Sequence, residues 1–159
     1  GARLKWAQRA RALAEGRAFI MWTFEPLRAR NAHFNLVRLG VVVRTYEVNY
    51  YGTDYATQSA EQGAHQGLDS DRLVAEWDLR AARVEALARR ADAPAPGEPA
   101  ATVVIPPDWS ALVREDAAAA RAELFRVRTE FRQHLSRGLV CAGFERDATR
   151  PRYLFYREP

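Results

Sequence analysis

The corner "WTFEPLRARNAHFNLVRLG", Trp22 to Gly40, gathers Thr23, Glu25, Arg28, Arg30, Asn31, His33 and Asn35 between an apolar run and a glycine. A corner that only reversed the chain would need far less polar chemistry, so a ligand is the first reading. Glu25 follows a strand end, where ligands gather in α/β proteins, and is a candidate general base. Its other reading is a surface carboxylate paired with Arg28 or Arg30. Those arginines offer planar forks to phosphate or carboxylate, or else form a solvated basic face. Asn31 can cap a helix start or reach a ligand with its amide. His33 reads as a helix-surface residue or a site neighbour, and Tyr50 and Tyr51, before Gly52, mainly as packing or else as the lining of a ligand pocket.

Other chemistries find less support. One cysteine, Cys141, and three scattered histidines, His33, His65 and His134, give no metal-ligand spacing. Cys141 lies in the apolar run "GLVCAGF" and reads as a packed, inert thiol. No apolar run approaches the roughly 18 residues of a membrane span, and no charged-then-apolar leader is visible, so no membrane role is expected and the expected compartment is the cytoplasm. The net charge of +4 is uneven: residues 1–50 carry nine Lys/Arg against three Asp/Glu, residues 51–100 five against nine, and residues 101–159 ten against eight. A basic front suits phosphates of a nucleotide cofactor or of nucleic acid, but no nucleic-acid recognition motif is present, and that partner is not expected.

The elements that must position the corner can be read in order. Leu4, Ala7, Ala10 and Ala14 fall at helical spacing before Gly16, which predicts an amphipathic helix. "RAFIMWTF" predicts a strand buried on both faces, and the helix after Pro26 runs from about Ala29 to Leu39 with Gly40 as its cap. "VVVRTYEVNYY" predicts a long strand, residues 52–71 a long loop, and "RLVAEWDL" a half-buried strand with Leu73, Ala75 and Trp77 on one face. A short charged helix follows, then the Pro- and Ala-rich linker 92–100. Beyond it come "TVVIP" as a strand, helices opened by Asp108 and Asp116, and two strands joined by a turn at Asp147 and Pro151. In the second of these helices Ala120, Leu124, Val127, Phe131 and Leu135 share a face. The expected fold class is α/β with an α+β mixed sheet: residues 1–91 form one unit and residues 101–159 a small α+β extension.

This order of parts resembles the second half of the GNAT acetyltransferase fold, whose late helix runs from Asn through a small residue to a basic residue, Leu and Gly. Asn31, Ala32, Arg38, Leu39 and Gly40 echo that order. The wording "WTFEPLRARNAHFNL", with "YYG", "DRLVAEWDL", "IPPDWSAL" and the closing "YLFY", is similar to a bacterial and archaeal subfamily with a C-terminal extension. The resemblance covers most of the chain. It implies that acetyl-CoA lies in a split between two central parallel strands, with Gly1 and Ala2 as the tail of the phosphate loop and Arg3 just inside the helix. On that reading the chain is N-terminally incomplete, lacking the family's first strands and helices. Asn31 and Asn35 are the further cofactor contacts and Glu25 the catalytic carboxylate. Many relatives carry a proton-donating Tyr where this chain has Leu36.

The expected function is therefore an acetyl-CoA-dependent N-acetyltransferase acting on a primary amine, either a small molecule or a protein, with a homodimer as the candidate assembly. The alternative is a non-catalytic CoA-binding or protein-interaction module with a degenerate GNAT fold.

Overall fold

The computed structural model describes residues 1–55, 67–94 and 96–158. Its first helix, α1 (Ala2–Ala14), is alanine-rich, free of proline and closed by Gly16 at φ 79°. The packing face differs from the expected one. Leu4, Ala7, Ala10 and Ala14 face solvent, and Leu4 is 75% exposed, while Trp6, Ala12 and Leu13 pack inward. Trp6 sets the helix down because its ring lies 5.4 Å from that of Trp77, a contact larger than three alanines can make.

Strand β1 (Phe19–Phe24) pairs antiparallel with β3 (Arg72–Asp78), which pairs antiparallel with β2 (Tyr46–Glu47). The sheet order β1-β3-β2 leaves β1 at an edge. It is therefore not buried on both faces as expected. Ile20, Trp22 and Phe24 share the inner face with Trp77, Ala75 and Leu73, whereas Phe19 and Met21 stand 62% and 60% exposed on the other. Alternation in β3 follows the sequence expectation, with Leu73, Ala75 and Trp77 buried. Both sheets are antiparallel, and no parallel pair occurs among the described residues.

Residues 41–51 do not form the expected long strand. Val42 bridges to Glu76 in the first sheet and Val43 to Cys141 in the second, so consecutive residues serve different partners. After the two residues of β2 the chain turns at Asn49, φ 50°, held by the Asp71 carboxylate on the Asn49 amide. Strand propensity without one continuous neighbour does not make a strand. The expected loop at 52–71 falls largely on residues 56–66, and it and His65 lie outside the described residues.

Helix α2 (Ala29–Ala32) continues as a wider π-helical stretch, His33–Arg38, and turns out at Gly40, φ 75°. A side chain at Gly40 would meet Leu87 at 3.1 Å and Val84 at 3.2 Å, so only glycine fits against helix α3 (Ala82–Ala88). The second sheet, β4-β6-β5, joins β4 (Ala101–Val104), β6 (Arg152–Arg157) and β5 (Leu139–Glu145). Helices α4 (Trp109–Glu115) and α5 (Ala117–Ser136) start at Asp108 and Asp116, whose carboxylates accept from the Ala111 and Ala119 amides as expected of N-caps. On α5, Ala120, Leu124, Val127 and Phe131 are buried in the expected stripe.

Both sides of the 92–100 stretch contribute to one core: Leu36, Val43 and Trp77 from the first part cluster with Phe131, Cys141 and Tyr153 from the second. Arg83 adds a polar tie, donating to Leu36 O and Ala142 O at 3.1 and 2.7 Å. No helix among the described residues is long and apolar enough to cross a membrane.

Candidate functional site

Proline at position 26 ends β1 and turns the chain, which places Glu25 and Arg28 at the C-terminal end of the strand. The corner closes one wall of a cavity of about 220 Å³. The run 68–72 forms a second wall, with Trp109, Ser110 and Val113 of α4 and Leu124 of α5 opposite. The polar corner thus faces a cleft.

Glu25 is the centre of an ion-pair group. Arg28 Nε donates to Glu25 Oε2, and Arg28 Nη1 donates to Ser110 Oγ at 2.8 Å, which fastens the corner to α4. Arg72 Nη2 stands 3.6 Å from Glu25 Oε1, beyond hydrogen-bond length, so Oε1 receives no short hydrogen bond among the described residues. Arg72 is itself buried, 8% exposed, and donates to Asp71 O at 2.8 Å. Its guanidinium also lies 5.1 Å from the ring centre of Tyr51 and 6.0 Å from that of Tyr55. Tyr51 and Tyr55 stack at 4.6 Å, and Tyr50 meets Tyr51 edge-on at 4.8 Å, all three half-exposed. Tyr51 and Tyr55 thus meet the cavity wall through Arg72, while Tyr50 packs on Tyr51.

A second network holds the opposite wall. Arg128 of α5 donates from Nε to Asp71 Oδ2 and from Nη2 to Asp71 Oδ1, both at 2.8 Å, and to Asp69 Oδ2 at 2.9 Å. The buried Tyr46 hydroxyl donates to Asp71 Oδ2. Hydrogen bonds from Arg128, opposed by partial burial, hold the Asp69 carboxyl below the usual carboxylate range, with Thr53 Oγ1 donating as well. Burial, then the Asp71 charge, pushes the Tyr46 phenol well up, so it stays a neutral donor.

The residues expected to bind cofactor fall into two places. Asn35 is buried: its Oδ1 accepts from Trp22 Nε1 at 3.0 Å and its Nδ2 donates to Asn31 O at 2.9 Å. Its amide thereby joins β1 to the late helix, and Asn31, half-buried, borders a shallow groove between Arg28 and α4. Gly1, Ala2 and Arg3 begin α1, where no side-chain cap and no acidic residue occupies the first turn. Lys5, one turn on, places its Nζ 3.6 Å over the Trp22 ring. Lys5 thereby ties α1 to the corner at Trp22. Glu25 lines the cavity, whereas Gly1, Ala2, Arg3, Asn31 and Asn35 are not among its lining residues. Leu36 is fully buried and has no proton to give.

Sequence reasoning did not find Asp69, Asp71, Arg72 and Arg128. The signal was the charged run "DSDR" at the entry to an alternating strand, since an arginine that opens a buried strand needs carboxylates nearby. Among the described residues no group of three His, Cys, Asp or Glu is arranged to hold a metal ion. Compared with protein-family models, with curated proteins and with solved structures, the chain matches none.

Proposed function

We propose that this chain is the C-terminal half of a GNAT-type N-acetyltransferase that uses acetyl-CoA and a primary amine in the cytoplasm. The observation that carries the reading is the ion-paired Glu25 at the end of β1, opening into a cavity of about 220 Å³. Two further features support it. The outer edge of β1 is unpaired among the described residues, as a split with a parallel neighbour requires. The first turn of α1 leaves its amides uncapped, and free N–H groups with the positive end of the helix dipole favour a pyrophosphate.

In the proposed reaction the acceptor nitrogen gives up one proton, with Glu25 Oε1 as the receiving atom. The neutral amine then attacks the thioester carbonyl carbon, so that a C–N bond forms, the nitrogen loses its second proton to water, the C–S bond breaks and the CoA thiolate leaves to take a proton. Arg28 and Arg72 hold the carboxylate in place, so catalysis rests mainly on positioning. The leaving thiolate takes its proton from water, because Leu36 offers none.

Buried Leu36 also favours the second reading, a CoA-binding module without turnover. Titration of acetyl-CoA into the protein, followed by thiol release with a panel of amines, separates the two. Salt-sensitive heat with thiol release is the expected outcome. Heat without thiol release selects the non-catalytic module, and absence of heat ends both readings.

A further inference from the structure

We infer that the cavity beneath the corner binds a small one-ring primary amide, its polar edge between Glu25 Oε1 and Arg72 Nη2 and its ring among the apolar side chains. The inference goes beyond the acyl-transfer reading and does not rest on it. An amide nitrogen shares its lone pair with its own carbonyl, so such a ligand occupies the site without accepting an acyl group.

The observation that carries this is an acceptor and a donor side by side in one cavity wall. Glu25 and Arg72 both line the cavity, and Oε1 and Nη2 stand 3.6 Å apart, too far for a hydrogen bond. Arg28 holds Oε2, which leaves Oε1 as the open acceptor of the carboxylate. Arg72 is fixed in place: it is buried, its Nη1 donates to Asp71 O at 2.8 Å, and its guanidinium lies 5.1 Å from the Tyr51 ring centre. Its Nη2 donates no hydrogen bond among the described residues. A primary amide carries a carbonyl oxygen and an N–H on the same edge, joined through one carbon. That single group can accept from Nη2 and donate to Oε1 together. Both bonds are charge-assisted while the ligand itself stays neutral.

The same pair disfavours the relatives of an amide. A carboxylate satisfies Nη2 but sets its second oxygen against Oε1. An ammonium donates to Oε1 but offers Nη2 no acceptor and meets the guanidinium charge. A methyl ketone satisfies Nη2 and leaves Oε1 facing a methyl group. In each case a partly buried charged group goes without its hydrogen bond. Size and wall chemistry set the rest. At about 220 Å³ the cavity is smaller than the roughly 300–1,000 Å³ typical of drug-sized ligands, so it suits one ring and its amide rather than a peptide. Leu27, Leu68 and Leu124 are buried, and with Trp109 and Val113 they give the ring an apolar seat.

Calorimetric titration of the protein with benzamide, benzoate, benzylamine and acetophenone tests this, because these ligands share a phenyl ring and differ in their polar group. Benzamide should bind at least about tenfold tighter than each of the others. Glu25→Gln supplies a second arm. Arg28 Nε is a donor, so the glutamine turns its carbonyl oxygen to Arg28 and its NH2 to the ligand, where the N–H of the benzamide then finds no acceptor. The folded variant should bind benzamide at least about tenfold more weakly. Equal or tighter binding of any of the other three ligands, no binding of benzamide, or unchanged benzamide affinity in a folded Glu25→Gln protein would overturn the inference. If that variant does not fold, the ligand series decides alone. Benzamide binding with no heat from acetyl-CoA would end the acyl-transfer reading and leave this site standing, and heat from acetyl-CoA without benzamide binding would do the reverse.

Discussion

Asp69 shows how one residue ties the cavity to stability. The Arg128 hydrogen bond lowers its folded-state pKa below that of the unfolded chain, so the unfolded chain binds the proton more readily. The Asp69 contribution is therefore fully present above the ordinary carboxylate range and is lost as pH falls through the lowered folded value. Urea unfolding as a function of pH should show this acid loss, and in Asp69→Asn the acid-side slope should be shallower with lower stability at neutral pH. Cys141 makes the opposite case of a group removed from chemistry. It is fully buried, and burial pushes its thiol far up. A thiol reagent should leave it unmodified in native protein and titrate one thiol in denaturant. Rapid native modification would show that the second sheet opens readily.

Among the elements, the corner depends on a contact from the far end of the chain. The Tyr153 hydroxyl of β6 donates to Pro26 O at 2.6 Å in a fully buried setting. Tyr153→Phe removes the donor and leaves a buried carbonyl unpaired, which should cost about 1–3 kcal/mol in denaturant unfolding. A change within 0.5 kcal/mol, the usual scatter of neutral substitutions, would mean that Pro26 O finds another partner. The π-helical stretch His33–Arg38 has a similar logic. Its widened turn accompanies the burial of both Asn35 and Leu36, adjacent residues that serve Trp22 and the core respectively. Such bulges often accompany functional sites.

At the scale of the whole molecule the open edge of β1 is the place available for strand addition among the described residues. Phe19 and Met21 are exposed on a strand whose outer backbone groups are unpaired among the described residues, a template for another strand. The homodimer expected from the sequence would compete for this edge with the parallel neighbour that the acetyltransferase reading requires. Sedimentation across a concentration series should reveal association, and Met21→Lys should shift it toward monomer, since an edge lysine opposes strand addition. Association unchanged by Met21→Lys would move the interface elsewhere.

Local pattern determined much of this protein. Helix starts at Asp108 and Asp116, the alternation of β3, the α5 stripe, the turn at Gly40 and the polar corner were all legible, because caps, periodicity and glycine conformation depend on residues a few positions apart. Tertiary structure alone decided which α1 face packs, that β1 is an edge, and that residues 41–47 divide between two sheets. It also brought Glu25, Arg72, Asp69 and Trp109 around one cavity from positions far apart in the chain. Those outcomes depend on which distant surface offers the larger buried contact or the opposite charge, and no local spacing records that choice.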